Sequence, residues 1–208
     1  MALDFTLYLV TDRNLMSSAS LETAVEQAIL GGCTMVQLRE KDISSDEFYR
    51  LAVSIKSITD KYEIPLIIND RVDIALSVNA AGVHIGQHDL PASIARRIIP
   101  QSMILGVSAS TLREAQKAVS DGADYLGVGA MFSTSTKTDA DVVSIHTLSQ
   151  IRKSVHIPIV AIGGINKENA HVFKAINIDG LAVVSAIISQ QDIRRSSKAL
   201  KQAFLGGA

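Results

Sequence analysis

Residues 34–70 read TMVQLREKDISSDEFYRLAVSIKSITDKYEIPLIIND, and the spacing of their apolar residues changes twice. TMVQLRE is a short β-branched run, residues 45–61 place apolar side chains about every 3.6 positions, and PLIIND is again a short apolar run. That is strand, helix, strand, and two parallel strands need such a crossover. The same alternation extends in both directions. LYLVTD and a helix-like segment at 21–30 precede the stretch, and GVHIGQ, MILGVSAS, YLGVGA, PIVAIGG and GLAVVSA follow it. Further helical spacing covers 111–120 and 145–154, with shorter segments at 73–78 and 93–99. Eight strand runs in 208 residues match the number that closes a parallel (β/α)8 barrel, so the expected fold is α/β, one TIM barrel forming a single catalytic domain over residues 1–208. The alternative is an open doubly wound sheet. Closure is favoured because every run ends in polar or glycine-rich residues, as expected when all eight ends surround one mouth.

Composition agrees. Apolar residues make up 47% of the chain and tryptophan is absent, which suits a core of Ile, Val, Leu and Ala between sheet and helices. The 20 basic and 21 acidic residues nearly balance, and no basic run forms a stripe for nucleic acid. The start, MALDFTLYLVTD, has an early Asp4 and only a short apolar stretch. It resembles no signal peptide, and no segment is long enough to span a bilayer. The single Cys33 rules out an internal disulfide and reads as a small buried residue. The expected setting is cytoplasmic, with no nucleic-acid or membrane partner, and a homo-oligomer is left open.

The strand ends carry the chemistry. In QLREK, two-residue alternation sends Gln37, Arg39 and Lys41 to one side and Leu38 and Glu40 to the other. An arginine fork beside a compact ammonium is a good grip for a polyphosphate, although one such triplet could also be a solvated strand end. The next two runs bring Asn69, Asp70 and Asp89 to neighbouring points on the rim. Two carboxylates beside a basic pair suit Mg2+, which takes one or two protein carboxylates and completes its shell with water and substrate phosphate. Each aspartate could instead cap the helix that follows it, Asp89 with Pro91 near the first turn. His84 is expected to be a hydrogen-bonded core histidine, with substrate contact as the second option. Ser108 reaches the mouth, while Ser110 or Thr111 caps the next helix.

Gly163 and Gly164 after the seventh run, with the amides after the eighth, form a site for a phosphate, where this fold often holds one. The alternative for the glycine pair is a plain turn. FSTSTKTDA, residues 132–140, lies between the two sides of the mouth. Its Thr134, Thr136 and Lys137 are read as closing over anionic substrate groups, with Lys137 reaching a phosphate.

Taken together, YLVTDR, VQLREK, IINDRVDIAL, GVHIGQHDL, LGVSAST, FSTSTKTDA, VAIGGI and VVSAI resemble the thiamine phosphate synthase family along nearly the whole chain. The resemblance implies a (β/α)8 transferase of thiamine biosynthesis. It would condense 4-amino-2-methyl-5-(diphosphomethyl)pyrimidine with a thiazole phosphate, using Mg2+ and releasing pyrophosphate. It further implies that Gln37, Arg39, Lys41, Asn69, Ser108 and Lys137 contact the pyrimidine diphosphate, with Arg39, Lys41, Ser108 and Lys137 taking part in catalysis. Asp70 and Asp89 would be the metal ligands, and Thr134, Ser135, Thr136, Gly164, Val184 and Ser185 would hold the thiazole phosphate. Three positions depart from the family pattern: His88 stands where an acidic residue is common, Ala81 where Asp is frequent, and Ala130 in place of a common Pro. A related thiazole tautomerase would need a catalytic histidine near VSAST, which has none. A noncatalytic sensor of thiamine precursors is the reading from another class.

Overall fold

Eight parallel strands pair in chain order and close on themselves: β1 (Leu7–Val10), β2 (Met35–Leu38), β3 (Leu66–Asn69), β4 (Gly82–Ile85), β5 (Ile104–Ala109), β6 (Tyr125–Val128), β7 (Ile159–Ile162) and β8 (Gly180–Val183). This computed structural model describes residues 3–133 and 142–206. The barrel and all eight expected strands are present. Helices α1 (Leu21–Leu30), α2 (Ser45–Lys61), α3 (Val72–Ser77), α4 (Ala92–Ile98), α5 (Leu112–Ser120) and α6 (Ile145–Ser154) fill the crossovers. The expected bounds hold for α1, α2 and α6 and shift by one residue at α3, α4 and the start of α5. Thr111 is the N-cap of α5 and forms a full capping box with Glu114.

Four of the described elements escaped the spacing argument, the first a short 3-10 helix, Arg13–Leu15, after β1. The β7–β8 crossover is a 3-10 helix, Ala170–Ile176, ended by Asn177 in the left-handed region. Helices α7 (Ser185–Ile188) and α8 (Ile193–Leu205) follow β8. In α8, Ile193, Ser197, Leu200 and Phe204 turn to the buried side.

Alternation along the strands builds two apolar layers. Leu7, Leu9, Val36, Leu38 and Ile68 face the helices. Phe5, Tyr8, Val10, Met35, Ile67, Tyr125, Val160 and Ala182 fill the barrel interior. Both layers are close to fully buried, so the barrel is a packed core with one usable end.

At the opposite end, a single device recurs. Thr34, Ala81, Asp124 and Asp179 each precede an even-numbered strand, and the ladder sets them opposite Leu7, Leu66, Leu105 and Ile159. In three of these places the side chain accepts from the facing backbone amide: Leu7 N to Thr34 Oγ1 (3.1 Å), Leu105 N to Asp124 Oδ2 (2.7 Å) and Ile159 N to Asp179 Oδ2 (2.8 Å). Arg96 and Arg152 reach across from α4 and α6 to the two aspartates, each at 3.0 Å. The fourth place holds Ala81, which offers only a methyl group. It lines a cleft of about 680 Å3 that also includes Asp4, Lys56, Asp60, Glu63 and Leu66.

Candidate active site

The C-terminal ends of β2, β3, β4 and β5 bring the polar residues together. Past the end of β2, the Arg39 amide donates to Thr11 Oγ1 at 3.0 Å, and its guanidinium lies 3.6 Å from the Asp12 carboxylate. Glu40 turns away, as alternation requires, and pairs with Arg13 at 2.9 Å. Burial raises the Glu40 carboxyl above its ordinary range. The Lys41 ammonium contacts the Asp70 carboxylate.

Asp70 occupies the left-handed region at φ 61, held there by its amide, which donates to the His84 carbonyl at 2.8 Å. It does not cap α3: the N-cap is Arg71, and no side chain bonds to the first turn. Asp89 does not cap α4 either, since the N-cap is Pro91 and again lacks a side-chain bond. Instead, Asp89 Oδ2 accepts from the Gly86 amide at 2.7 Å. The two carboxyls are near enough for each to shift the other's protonation. Burial and that proximity push Asp70 above the ordinary carboxylate range. Asp89, although burial works against it, is held below by Asp70, by the Gly86 amide and by the Lys41 charge. The two carboxyls therefore titrate as a pair, with Asp70 the weaker acid.

Asn69 ends β3, and its Nδ2 is a buried donor without a partner among the described residues. A buried donor without a partner calls for an acceptor. The Lys41 ammonium contacts Asp70 and the Gly86 amide donates to Asp89, so both side chains are held in place. Two carboxylates are a donor set that Mg2+ would accept, leaving its remaining positions to water and phosphate oxygens; among the described residues no group of three or more His, Cys, Asp or Glu side chains could hold a metal. His88 is exposed beside Asp89.

Below this rim lies a buried polar chain. Gln37 Nε2 donates to Tyr8 Oη at 2.8 Å, the Tyr8 and Tyr125 hydroxyls are 2.8 Å apart, and Tyr125 Oη is 2.9 Å from His84 Nδ1. His84 Nε2 is 2.9 Å from Ser108 Oγ, and Gln87 Nε2 donates to the Ser108 carbonyl at 2.6 Å. Burial drives the His84 pKa down to about 4, only partly offset by Asp89, so the ring is neutral. Burial likewise raises both tyrosines. His84 is thus a hydrogen-bonded core histidine. Tyr8 and Tyr125 were not singled out from the sequence, and the only signal was a lone polar tip in each of two apolar strands.

On the far side, Gly163 and Gly164 both have positive φ, 101° and 64°. A Cβ on Gly164 would lie 2.7 Å from the Ser133 carbonyl oxygen and 2.8 Å from Phe132 Cβ, so the glycine admits the segment that follows β6. Phe132 N donates to Gly163 O at 3.1 Å. The Gly129–Ala130 peptide is cis, and Ala130 O accepts from Val143 N at 2.7 Å. Val184 is the N-cap of α7, Ser185 is its first residue, and no side chain caps this turn. The assignments to Thr134, Ser135, Thr136 and Lys137 lie outside the described residues. Among the described residues no helix is long and apolar enough to cross a membrane.

A family profile described as thiamine monophosphate synthase matches residues 7–187. The thiamine-phosphate synthase of Clostridium beijerinckii is 61% identical over 98% of this chain and 97% of its own. That of Ruminiclostridium cellulolyticum is 61% identical over 99% and 98%. The solved thiamine phosphate pyrophosphorylase from Pyrococcus furiosus superposes with a TM-score of 0.91 at 38% identity, covering 98% of this chain and 97% of that one. These matches run from end to end through the same barrel, and the chain belongs to the thiamine monophosphate synthase family, whose transferase reaction, thiamine-phosphate synthesis, is its activity.

Proposed function

We propose that the rim of β2–β5 binds 4-amino-2-methyl-5-(diphosphomethyl)pyrimidine together with Mg2+, and that a thiazole phosphate docks across the mouth beside Gly164, Val184 and Ser185. The observation that carries this reading is the convergence of the Lys41 ammonium with the Asp70 carboxylate, with Asp89 held on the Gly86 amide, next to the Asn69 amide, whose Nδ2 has no partner among the described residues. Arg39 and Lys41 supply positive charge to the departing diphosphate, and Ser108 Oγ donates to one of its oxygens. Mg2+ held by Asp70 and Asp89 would add neutralisation of the charge that develops on that group. The aminopyrimidine stabilises positive charge on its methylene carbon, so the diphosphate leaves first and the thiazole nitrogen then captures the carbon. No general base is needed. The protein contributes alignment and preorganised charge above a packed barrel core. Lys137 belongs to the same reading as a further contact to the leaving group.

Asp70→Asn and Asp89→Asn test it. Each should lower turnover by several orders of magnitude, roughly 4 kcal/mol or more of transition-state stabilisation, and raise the Mg2+ concentration needed for half-maximal rate, with thermal melting still cooperative. Near-normal rates at limiting Mg2+ in both variants would overturn the metal assignment.

A further inference from the structure

The buried chain of Gln37, Tyr8, Tyr125, His84 and Ser108 joins Ser108, which the proposed function places on the diphosphate, to Gln37, which the family resemblance places on the same substrate. Its space is cut deliberately into the core. A Cβ on Gly106 would lie 2.2 Å from Tyr125 Cζ and 2.4 Å from its hydroxyl, and one on Gly127 would lie 3.0 Å from His84 Cε1. Every internal member has two partners, and each phenol has one proton to give. The protons can therefore be ordered in only two ways. With Gln37 donating to Tyr8, Tyr8 donates to Tyr125, Tyr125 to His84 Nδ1, and His84 Nε2–H to Ser108, whose own proton is left for the mouth. Reversing the Gln37 amide reverses every bond in turn, and Ser108 then presents a lone pair instead. An anionic diphosphate oxygen can only accept, so it requires the first order. In that order Gln37 must offer its carbonyl, Oε1, as an acceptor.

We propose that this chain is a polarised relay that couples recognition at the two ends of the pyrimidine diphosphate: a bound anion at Ser108 forces an acceptor at Gln37, which selects a pyrimidine bearing an amino group over one bearing an oxo group. The inference rests on the reading that Gln37 and Ser108 touch that substrate. Asn69 Nδ2, without a partner among the described residues and on the strand between those of Gln37 and His84, completes the pattern. An aminopyrimidine gives N–H to an acceptor and a ring nitrogen to a donor, and the 4-oxo ring presents the reverse. Tyr8, Tyr125 and His84 are positioning residues, since none of them touches the reacting atoms.

The test measures, by calorimetry, the affinities of two unreactive ligands, 4-amino and 4-oxo pyrimidines carrying a bisphosphonate in place of the diphosphate. It also records the 15N signals of His84, assigned with His84→Gln, in the presence of inorganic pyrophosphate. The wild type should prefer the amino ligand by roughly tenfold to a hundredfold, the range for leaving a buried polar group unpaired, and His84 should be the Nε2–H tautomer. Tyr125→Phe should bring the preference within about threefold of unity and mix the tautomers. Tyr8→Phe should also abolish the preference, because the Gln37 amide is freed, yet leave His84 as Nε2–H. An unchanged preference in both variants, or an Nδ1–H tautomer in the wild type, would overturn the relay. If neither variant folds, the wild-type tautomer decides. Failure of the underlying contact reading looks different: Gln37→Ala and Ser108→Ala would then leave both affinities unchanged.

Discussion

Ala81→Asp is expected to stabilise the protein, and the barrel's own repeat sets the size of the effect. Position 81 faces Leu66 in the same register in which Asp124 faces Leu105 and Asp179 faces Ile159. At those two places a carboxylate accepts from the amide of the facing residue at 2.7 and 2.8 Å. A hydrogen bond to a charged group contributes about 1.5–3 kcal/mol. Two features reduce that figure at position 81. No arginine corresponds to Arg96 or Arg152, and Lys56 is already bonded to Asp60 at 2.6 and 2.8 Å. Asp4, Asp60 and Glu63 line the same cleft and repel a new charge. A net gain of about 1 kcal/mol follows, which raises the melting temperature of a chain this size by roughly 2–4 °C. Ala81→Asn keeps the acceptor without the charge and should do as well or better at low salt. Asp124→Ala and Asp179→Ala are the converse and should each cost about 2 kcal/mol, because they strand an amide and an arginine. The partly exposed ion pairs themselves contribute little. Urea titrations of all four variants measure these values. If Ala81→Asp and Ala81→Asn both destabilise while Asp124→Ala is neutral, the repeat is geometric and carries no energy.

His84, whose ring faces Tyr125, Ser108 and the field of Asp89, is neutral when folded and has its pKa pushed down to about 4. The unfolded chain binds the extra proton between pH 4 and 6.5, so this contribution is fully present above pH 6.5 and is lost as pH falls towards 4, to the extent of about 3 kcal/mol. Unfolding free energies of wild type and His84→Gln should converge by that amount on acidification, and a gap that does not change with pH would refute it. Gly106→Ala places a methyl inside the Tyr125 ring and should cost about 3 kcal/mol or more; a melting temperature within 2 °C of wild type would show that the ring has other room. Thr111→Ala removes the capping box of α5 and should cost about 1 kcal/mol, read from the urea midpoint.

The barrel was legible in residues 34–70 because a fully buried parallel strand must be apolar throughout and its crossover must be amphipathic, so each unit declares itself locally. The strand-end residues Arg39, Lys41, Asn69, Asp70 and Asp89 were legible for the same reason, since a polar group ending an apolar run has nowhere to go but the mouth. The 3-10 crossover at Ala170–Ile176 was not, because three-residue repeats leave no 3.6-residue stripe to read. Whether Asp70 and Asp89 capped helices or met each other was undecidable from spacing, as an aspartate before a helix serves either end. Only the left-handed turn at Asp70 and the Gly86 amide set both carboxyls on one side. The relay and the gap at Ala81 lie further still from the sequence. Gln37 and Ser108 are 71 positions apart, and they are joined through tyrosines from β1 and β6. Ala81 already departs from the family pattern in the sequence, but which amide the missing side chain would meet is visible only beside Thr34, Asp124 and Asp179, once closure has put all four in one register. Local pattern determines which residues must be buried or turned to the mouth, but who meets whom is decided by ladder register, a property of the closed sheet that no single strand contains.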